Sequence, residues 1–293
     1  MNSLIMADTP QARKVIVNAD DFGFSPEVTA GILCAHREGV VTSTTIMANM
    51  PAAADALARL GEAPGLGVGV HLNACQGPPL SAEGAALAGA DGRMRRSAGA
   101  VILACLSHPR LLRAIEAEFD AQIRWLLESG RRPTHLDSHR HIHAFPPIFA
   151  RTAALARRYN IRHIRWPLER LAGSGWPVAP WRQRGVRWLV NRFALINARS
   201  LSGLRATQGT WGIAHTGRID VAWLCQAARA LGPGVTEIMT HPGLPSEAPG
   251  PDATRLTACR QAELAALCSP TVREAFAASG IERIHYGQLQ DAL

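Results

Sequence analysis

The strongest constraint in this chain is the regular alternation of short apolar runs with segments whose apolar residues recur at helical spacing. Lys14–Asn18, Val40–Met47, Leu66–Leu72, Thr134–Ser138, Ile161–Trp166, Val235–Thr240 and Arg283–Tyr286 are too short for helices and mostly apolar or β-branched, so they read as strands. Their near-continuous apolar character fits strands buried on both faces, as in a parallel sheet. Between them lie helical signals. Ser25-Pro26 supplies an N-cap and a first-turn proline, followed by the stripe Val28, Ile32 and Ala35 and a stop at Gly39. A second stripe, Leu112, Ile115, Phe119, Ile123 and Leu126, ends at Gly130. Pro51–Leu60, Pro147–Tyr159, Ile219–Leu231, Arg255–Leu267 and Val272–Ala278 complete the set. Strand–helix alternation of this kind, without a linker or internal repeat, predicts an α/β fold: a single (β/α) TIM-like barrel, complete or incomplete, with parallel strands. The expected domain is residues 1–293, with an inserted loop at about 77–107 and a variable helical arm at about 176–205.

Composition narrows the function classes. Apolar residues make up 47% of the 293 residues and charged residues 18%, which excludes disorder as the main state. The longest apolar run, around Ala100–Leu106, is far short of the roughly 20 residues of a spanning helix. Met1–Lys14 lacks a basic start followed by an apolar stretch, and the six cysteines are scattered, so a cytoplasmic protein with reduced thiols is expected. The net charge of +8 is almost entirely arginine, Lys14 being the sole lysine. No basic block with interleaved aromatics is present, so no nucleic-acid partner is expected.

Metal-capable residues fall at the ends of the predicted strands. Asp20 and Asp21 follow the first, His71 ends the third, Asp137, His139, His141 and His143 follow the next, and His241 ends a late one. Strand ends of a barrel converge on one face, so these groups should meet there. Imidazoles plus a carboxylate suit Zn²⁺, Mn²⁺ or Fe²⁺, and three protein ligands leave a position for water or substrate. Adjacent side chains diverge, so Asp21 can bind metal while Asp20 takes a proton and His241 protonates a leaving group. Each piece alone has a plainer reading: Asp-Asp as helix-start chemistry, His71 as a core histidine. The run His135, Asp137, His139, His141, His143 shares parity and in an extended chain would face one way. Spacing does not fix which imidazoles bind.

Six motifs together resemble the YdjC-like carbohydrate deacetylases of the ChbG and HpnK type. They are V-N-A-D-D-F-G at Val17–Gly23, V-T-S-T-T at Val41–Thr45, G-V-H-L-N at Gly69–Asn73, P-T-H-L-D-S-H-R-H-I-H at Pro133–His143, A-H-T-G-R at Ala214–Arg218 and T-E-I-M-T-H-P-G at Thr236–Gly243. The resemblance implies a single deformed (β/α) TIM-like barrel with parallel strands, and a metal-dependent hydrolase that removes an N-acetyl group from an amino sugar of the chitooligosaccharide or glycolipid type. It implies a divalent ion, Mg²⁺ or Zn²⁺, held by Asp21, His71 and His139, with Asp20 as general base and His241 as general acid. His141 and His143 would then either support the metal ligands from behind or face the substrate, and Trp166 and Trp211 could stack on a sugar ring. Two competing readings are another metal-dependent hydrolase on such a barrel and a non-catalytic carbohydrate-binding barrel.

The stretch Trp176–Arg205 falls outside these motifs. Val186, Leu189, Val190, Phe193 and Ile196 recur at helical spacing among Arg182, Arg184, Arg187, Arg192 and Arg199. It reads either as an ordinary helix packed on the barrel or as a basic amphipathic element contacting a glycolipid or membrane surface. A homodimer is the expected assembly.

Overall fold

A computed structural model describes residues 12–245 and 256–289. The first strand, β1 (Arg13–Phe22), begins as expected but runs four residues past Asn18, so Asp20 and Asp21 lie within it rather than after it. Ser25 caps α1 (Pro26–Arg37), its hydroxyl accepting from Val28 N at 3.2 Å. Then come β2 (Ser43–Ile46), the short α2 (Ala53–Ala58) and β3 (Gly67–Leu72).

The expected loop insertion carries structure of its own. A two-residue ribbon pairs β4 (Gln76–Gly77) with β5 (Met94–Arg95), and the apolar run near Ala100 forms α3 (Ala98–Ser107). Glu118, buried on α4 (Leu111–Glu128), ties this excursion down by accepting from Leu80 N and from Ser81 N at 2.8 Å. A short strand β6 (Leu136–Ser138) leads into a 3₁₀ turn, His139–Ala144, then α5 (Pro146–Arg158). The helical arm is α6 (Trp181–Asn197). It is followed by β7 (Thr210–Trp211), α7 (Val221–Ala230), β8 (Gly234–Thr240), α8 (Thr257–Leu267), α9 (Pro270–Ala278) and β9 (Glu282–Arg283). Arg255, the predicted start of the penultimate helix, and residues 1–11 lie outside the described residues.

The strands are parallel in the order β6-β3-β2-β1-β8-β7, with β9 also pairing with β1. β1 is therefore central, and Val15, Ile16, Val17 and Ala19 are fully buried, which accounts for the continuous apolar run. Ile161–Trp166, expected as a strand, makes only isolated bridges to Leu136 and Arg205. Its backbone nevertheless joins the two ends of the sheet. Leu136 N donates to His163 O and Arg165 N to Leu136 O, while Thr210 N donates to Leu168 O at 3.1 Å. The pairing here is irregular, without a regular ladder.

Two local features shape the end of the barrel where the site lies. The β1–β2 register slips between Ala19 and Phe22, and Asp21 has φ 72°. A non-glycine residue in the left-handed region at a bulge is strained, and the bulge re-aims the two adjacent carboxylates that a regular strand would send to opposite faces. At the other feature, α1 approaches the loop after β8 so closely that a Cβ on Gly31 would lie 2.4 Å from Gly243 Cα. A side chain at Gly31 would push out the loop that carries His241.

Candidate active site

The site is built on the C-terminal ends of β1, β3, β6 and β8. Asp21 Oδ1 lies 3.0 Å from His139 Nδ1 and 3.4 Å from His71 Nε2, and all three residues are buried. The other ring nitrogens settle where the protons sit. His71 Nδ1 is 2.8 Å from Asp137 Oδ1, and His139 Nε2 is 3.2 Å from Gln76 Oε1. Both oxygens are acceptors, so each ring donates outward and, when neutral, turns its lone pair toward Asp21. Two imidazole lone pairs and a carboxylate oxygen thus converge within 4.8 Å of one another. Acceptors do not face each other in a buried site unless a proton or cation lies between them.

Charge leads to the same conclusion. Arg165, wholly buried, donates through Nη1 and Nη2 to Asp20 at 2.7 and 2.6 Å, and through Nη2 to Glu237 at 2.7 Å; Nη1 also lies 2.8 Å from Asp137. Arg260 Nη2 donates to Asp21 Oδ2 at 2.5 Å. Asp20, Asp21, Asp137 and Glu237 face these two permanent cations and the titratable His71, His139 and His241, leaving two negative charges over when all four are ionised and the imidazoles are neutral. A dication among Asp21, His71 and His139 would balance them, and two imidazoles with a carboxylate are donors of the type Zn²⁺ and similar ions accept. Asp137, holding His71 from behind, is the carboxylate that fixes a ligand imidazole's tautomer and raises its basicity. Asp20, His71 and Asp137 also approach one another, but both carboxylates there are held by Arg165.

The electrostatics separate the groups. Burial alone would raise the Asp20 carboxyl, yet the Arg165 guanidinium holds it well below the usual carboxylate range. Asp21 is likewise held low, by Arg260 and His139 against burial. Burial disfavours a charged His71, but Asp137 beside it raises the imidazole to about 10. Burial lowers His139, and it lowers His241 to about 4 despite Asp20 nearby. His241 Nε2 stands 4.0 Å from Asp20 Oδ2, and its Nδ1 is buried with no hydrogen-bond partner. Its backbone N–H donates to Glu263 at 2.7 Å, and burial pushes that carboxyl up to about 7.

The histidine run does not share one face. The strand stops at Ser138, and Arg140 and His141 take φ 56° and 53°, so the alternation expected of an extended chain ends at His139. His135 is fully buried and stacks on Tyr286 at 3.8 Å between centroids. His143 is fully buried, with Nδ1 2.5 Å from Ser138 Oγ and Nε2 3.3 Å from Arg165 O, so it braces Arg165 from behind. His141 is partly exposed, with a buried Nδ1 that has no partner. Trp166 packs edge-on to Phe149 at 6.2 Å and Trp211 edge-on to Trp176 at 5.5 Å; both are buried and present little of their faces to solvent.

The family model described as YdjC-like protein matches residues 14–278. A mouse (Mus musculus) protein named carbohydrate deacetylase is 35% identical over 295 residues, covering 92% of each chain. The chain belongs to the YdjC-like family. A Brevibacillus brevis relative, also named carbohydrate deacetylase, is 43% identical over 154 residues, 53% of this chain and 59% of that protein. The chain therefore spans under two thirds of that bacterial relative's length. A solved structure from Enterococcus faecalis V583, provisionally described as a cellobiose-phosphate cleavage protein, superposes with a TM-score of 0.76 at 26% identity, covering 95% of this chain and 99% of the other.

Within this YdjC-like barrel, sequence reasoning missed Arg165, Glu237, Arg260 and Gln76. One signal was available: Glu237 is a charge in the middle of an otherwise uncharged strand, and a buried charge needs a partner. Arg165 carried no such mark among so many arginines.

Proposed function

We propose that the chain is a metal-dependent carbohydrate N-deacetylase, hydrolysing the acetamide of an N-acetylated amino sugar of the chitooligosaccharide or glycolipid type to acetate and a free amine. The observation that carries this reading is the convergence of Asp21, His71 and His139 on one buried point beside an ionised Asp20 and a neutral His241. The names of the mouse and Brevibacillus relatives supply the substrate class. A divalent ion, Mg²⁺ or Zn²⁺, held by those three residues would acidify a water and polarise the acetamide carbonyl.

The remaining work falls to the chain's own groups. Arg165 and Asn18, which donates to Asp20 Oδ1 at 2.8 Å, keep Asp20 ionised and aimed, at some loss of basicity. Asp20 accepts the proton of the attacking water. Asp20 Oδ2 lies 4.0 Å from His241 Nε2, so the proton has a short path to an imidazole that starts neutral. His241 then delivers it to the departing amine. Glu263 fixes the backbone of His241, and the partly exposed His141 offers a ring nitrogen to the sugar. His143 acts through Arg165, and Trp166 and Trp211 contribute walls more than stacking faces.

Acetate release from N-acetylglucosamine oligomers tests the assignment, with Asp20→Asn compared to the unaltered chain at equal metal occupancy. A loss of about 10²- to 10⁴-fold fits general-base catalysis. Near-normal turnover with metal bound would remove Asp20 from the mechanism.

A further inference from the structure

α6 presents its apolar residues to solvent. Trp181, Trp188 and Leu195, spaced seven residues apart, form one stripe, and they are 75%, 65% and 48% exposed. Ile196 beside them is 62% exposed, while Val190, Ala194 and Asn197 on the opposite side are buried against the protein. Arg184 and Arg192 share the exposed side, and no acidic residue occurs between Trp181 and Asn197. A helix that only filled the barrel's outer ring would bury this stripe and show water a mixed-charge face.

A second exposed apolar element stands close by. On α3, Leu103 and Leu106 are 65% and 64% exposed, and the helix carries no charge along its length. α3 and α6 both pack against the His139–Ala144 turn, which supplies the candidate ligand His139. Asn197 Nδ2 anchors α6 there by donating to Ala144 O at 2.7 Å. Both exposed apolar elements are therefore carried by helices seated on the turn that holds His139.

We propose that α3 and α6 form a docking surface for an anionic lipid bilayer, so that the mouth of the site opens toward the membrane. Exposed indoles and aliphatic side chains whose only charged neighbours along α6 are arginines match the headgroup boundary: rings and alkyl groups enter the acyl edge while guanidiniums meet phosphates. Charge complementarity decides between occupants. A second copy of this chain would bring arginine against arginine, whereas an anionic leaflet attracts every charge on α6. Docking is read from vesicle binding and does not depend on what the site hydrolyses.

The test is co-sedimentation of the full chain with vesicles of phosphatidylglycerol and phosphatidylcholine, against phosphatidylcholine alone, at two salt concentrations. Binding to the anionic vesicles that weakens with salt is expected. Arg184→Gln with Arg192→Gln should weaken it by roughly 30-fold, taking each arginine as worth about fivefold at such a surface. Trp188→Ser with Ile196→Ser should abolish it while leaving the thermal midpoint unchanged, since both side chains face solvent. Failure of the unaltered chain to bind anionic vesicles at low salt overturns the proposal. So does a solution dimer that Trp188→Ser dissociates, because a second copy would then cover this face.

Discussion

Replacing Arg165 by methionine isolates the electrostatic core of the site. The substitution roughly keeps side-chain length but removes every bond to Asp20, Asp137 and Glu237, all of which are buried. Breaking one buried ion pair costs about 3–5 kcal/mol. An independent route gives a similar figure. The simplest relief is for one carboxylate to take up a proton, and protonating a group of ordinary pKa near 4 at pH 7 costs about 4 kcal/mol. The variant should therefore lose about 4 kcal/mol at pH 7, much of the stability of an average domain. The sign of the pH dependence follows. A carboxylate left without Arg165 has its folded pKa raised above its unfolded value, so it binds more protons when folded, and stability is lost as pH rises through that folded pKa. Arg165→Met should thus recover about 3 kcal/mol relative to the unaltered chain between pH 7 and pH 5, measured by urea unfolding at both values. Adding Glu237→Gln should restore part of the loss. A penalty below about 1 kcal/mol, or one that does not change with pH, would refute the view that one guanidinium holds three buried carboxylates in their charged form.

Other outcomes follow from the same geometry. Burial holds Glu263 up at about 7, so it contributes stability below its unfolded pKa that is lost as pH rises through 7; Glu263→Gln should remove up to roughly 3 kcal/mol of that slope between pH 4.5 and 7 in denaturation curves. Asp137→Asn removes the acceptor that orients His71, and zinc affinity measured by competition with a chromophoric chelator should fall 10- to 100-fold. A chelator should lower the thermal midpoint of metal-loaded protein, and added Zn²⁺ should restore it, because a ligand bound only by the folded state stabilises it. Gly31→Val should lower both stability and turnover, since the new side chain meets the backbone at Gly243, two residues from His241.

Much of the fold was legible because burial on both faces leaves a plain mark: β1, β2, β3 and β8 each overlap an apolar run read as a strand. Ile161–Trp166 carries the same mark, yet its partners are reached by irregular bonds, which periodicity does not encode. The convergence of Asp21, His71 and His139 was legible from strand-end position. The parity of His139, His141 and His143 misled because two successive left-handed residues, neither a glycine, turn the chain after Ser138. Arg165 was invisible for a compositional reason: in an arginine-rich chain, one buried arginine looks like the exposed ones. The two negative charges it leaves uncompensated become apparent only when Asp20, Asp137 and Glu237 are seen around it.

The most direct test of the proposed metal-dependent deacetylation is mass spectrometry of N-acetylated oligosaccharides incubated with the chain carrying one equivalent of divalent metal, beside a chelated control and His139→Ala. The account predicts loss of one acetyl group by the loaded protein alone. Equal acetyl loss with and without metal, or undiminished loss by His139→Ala, would contradict it.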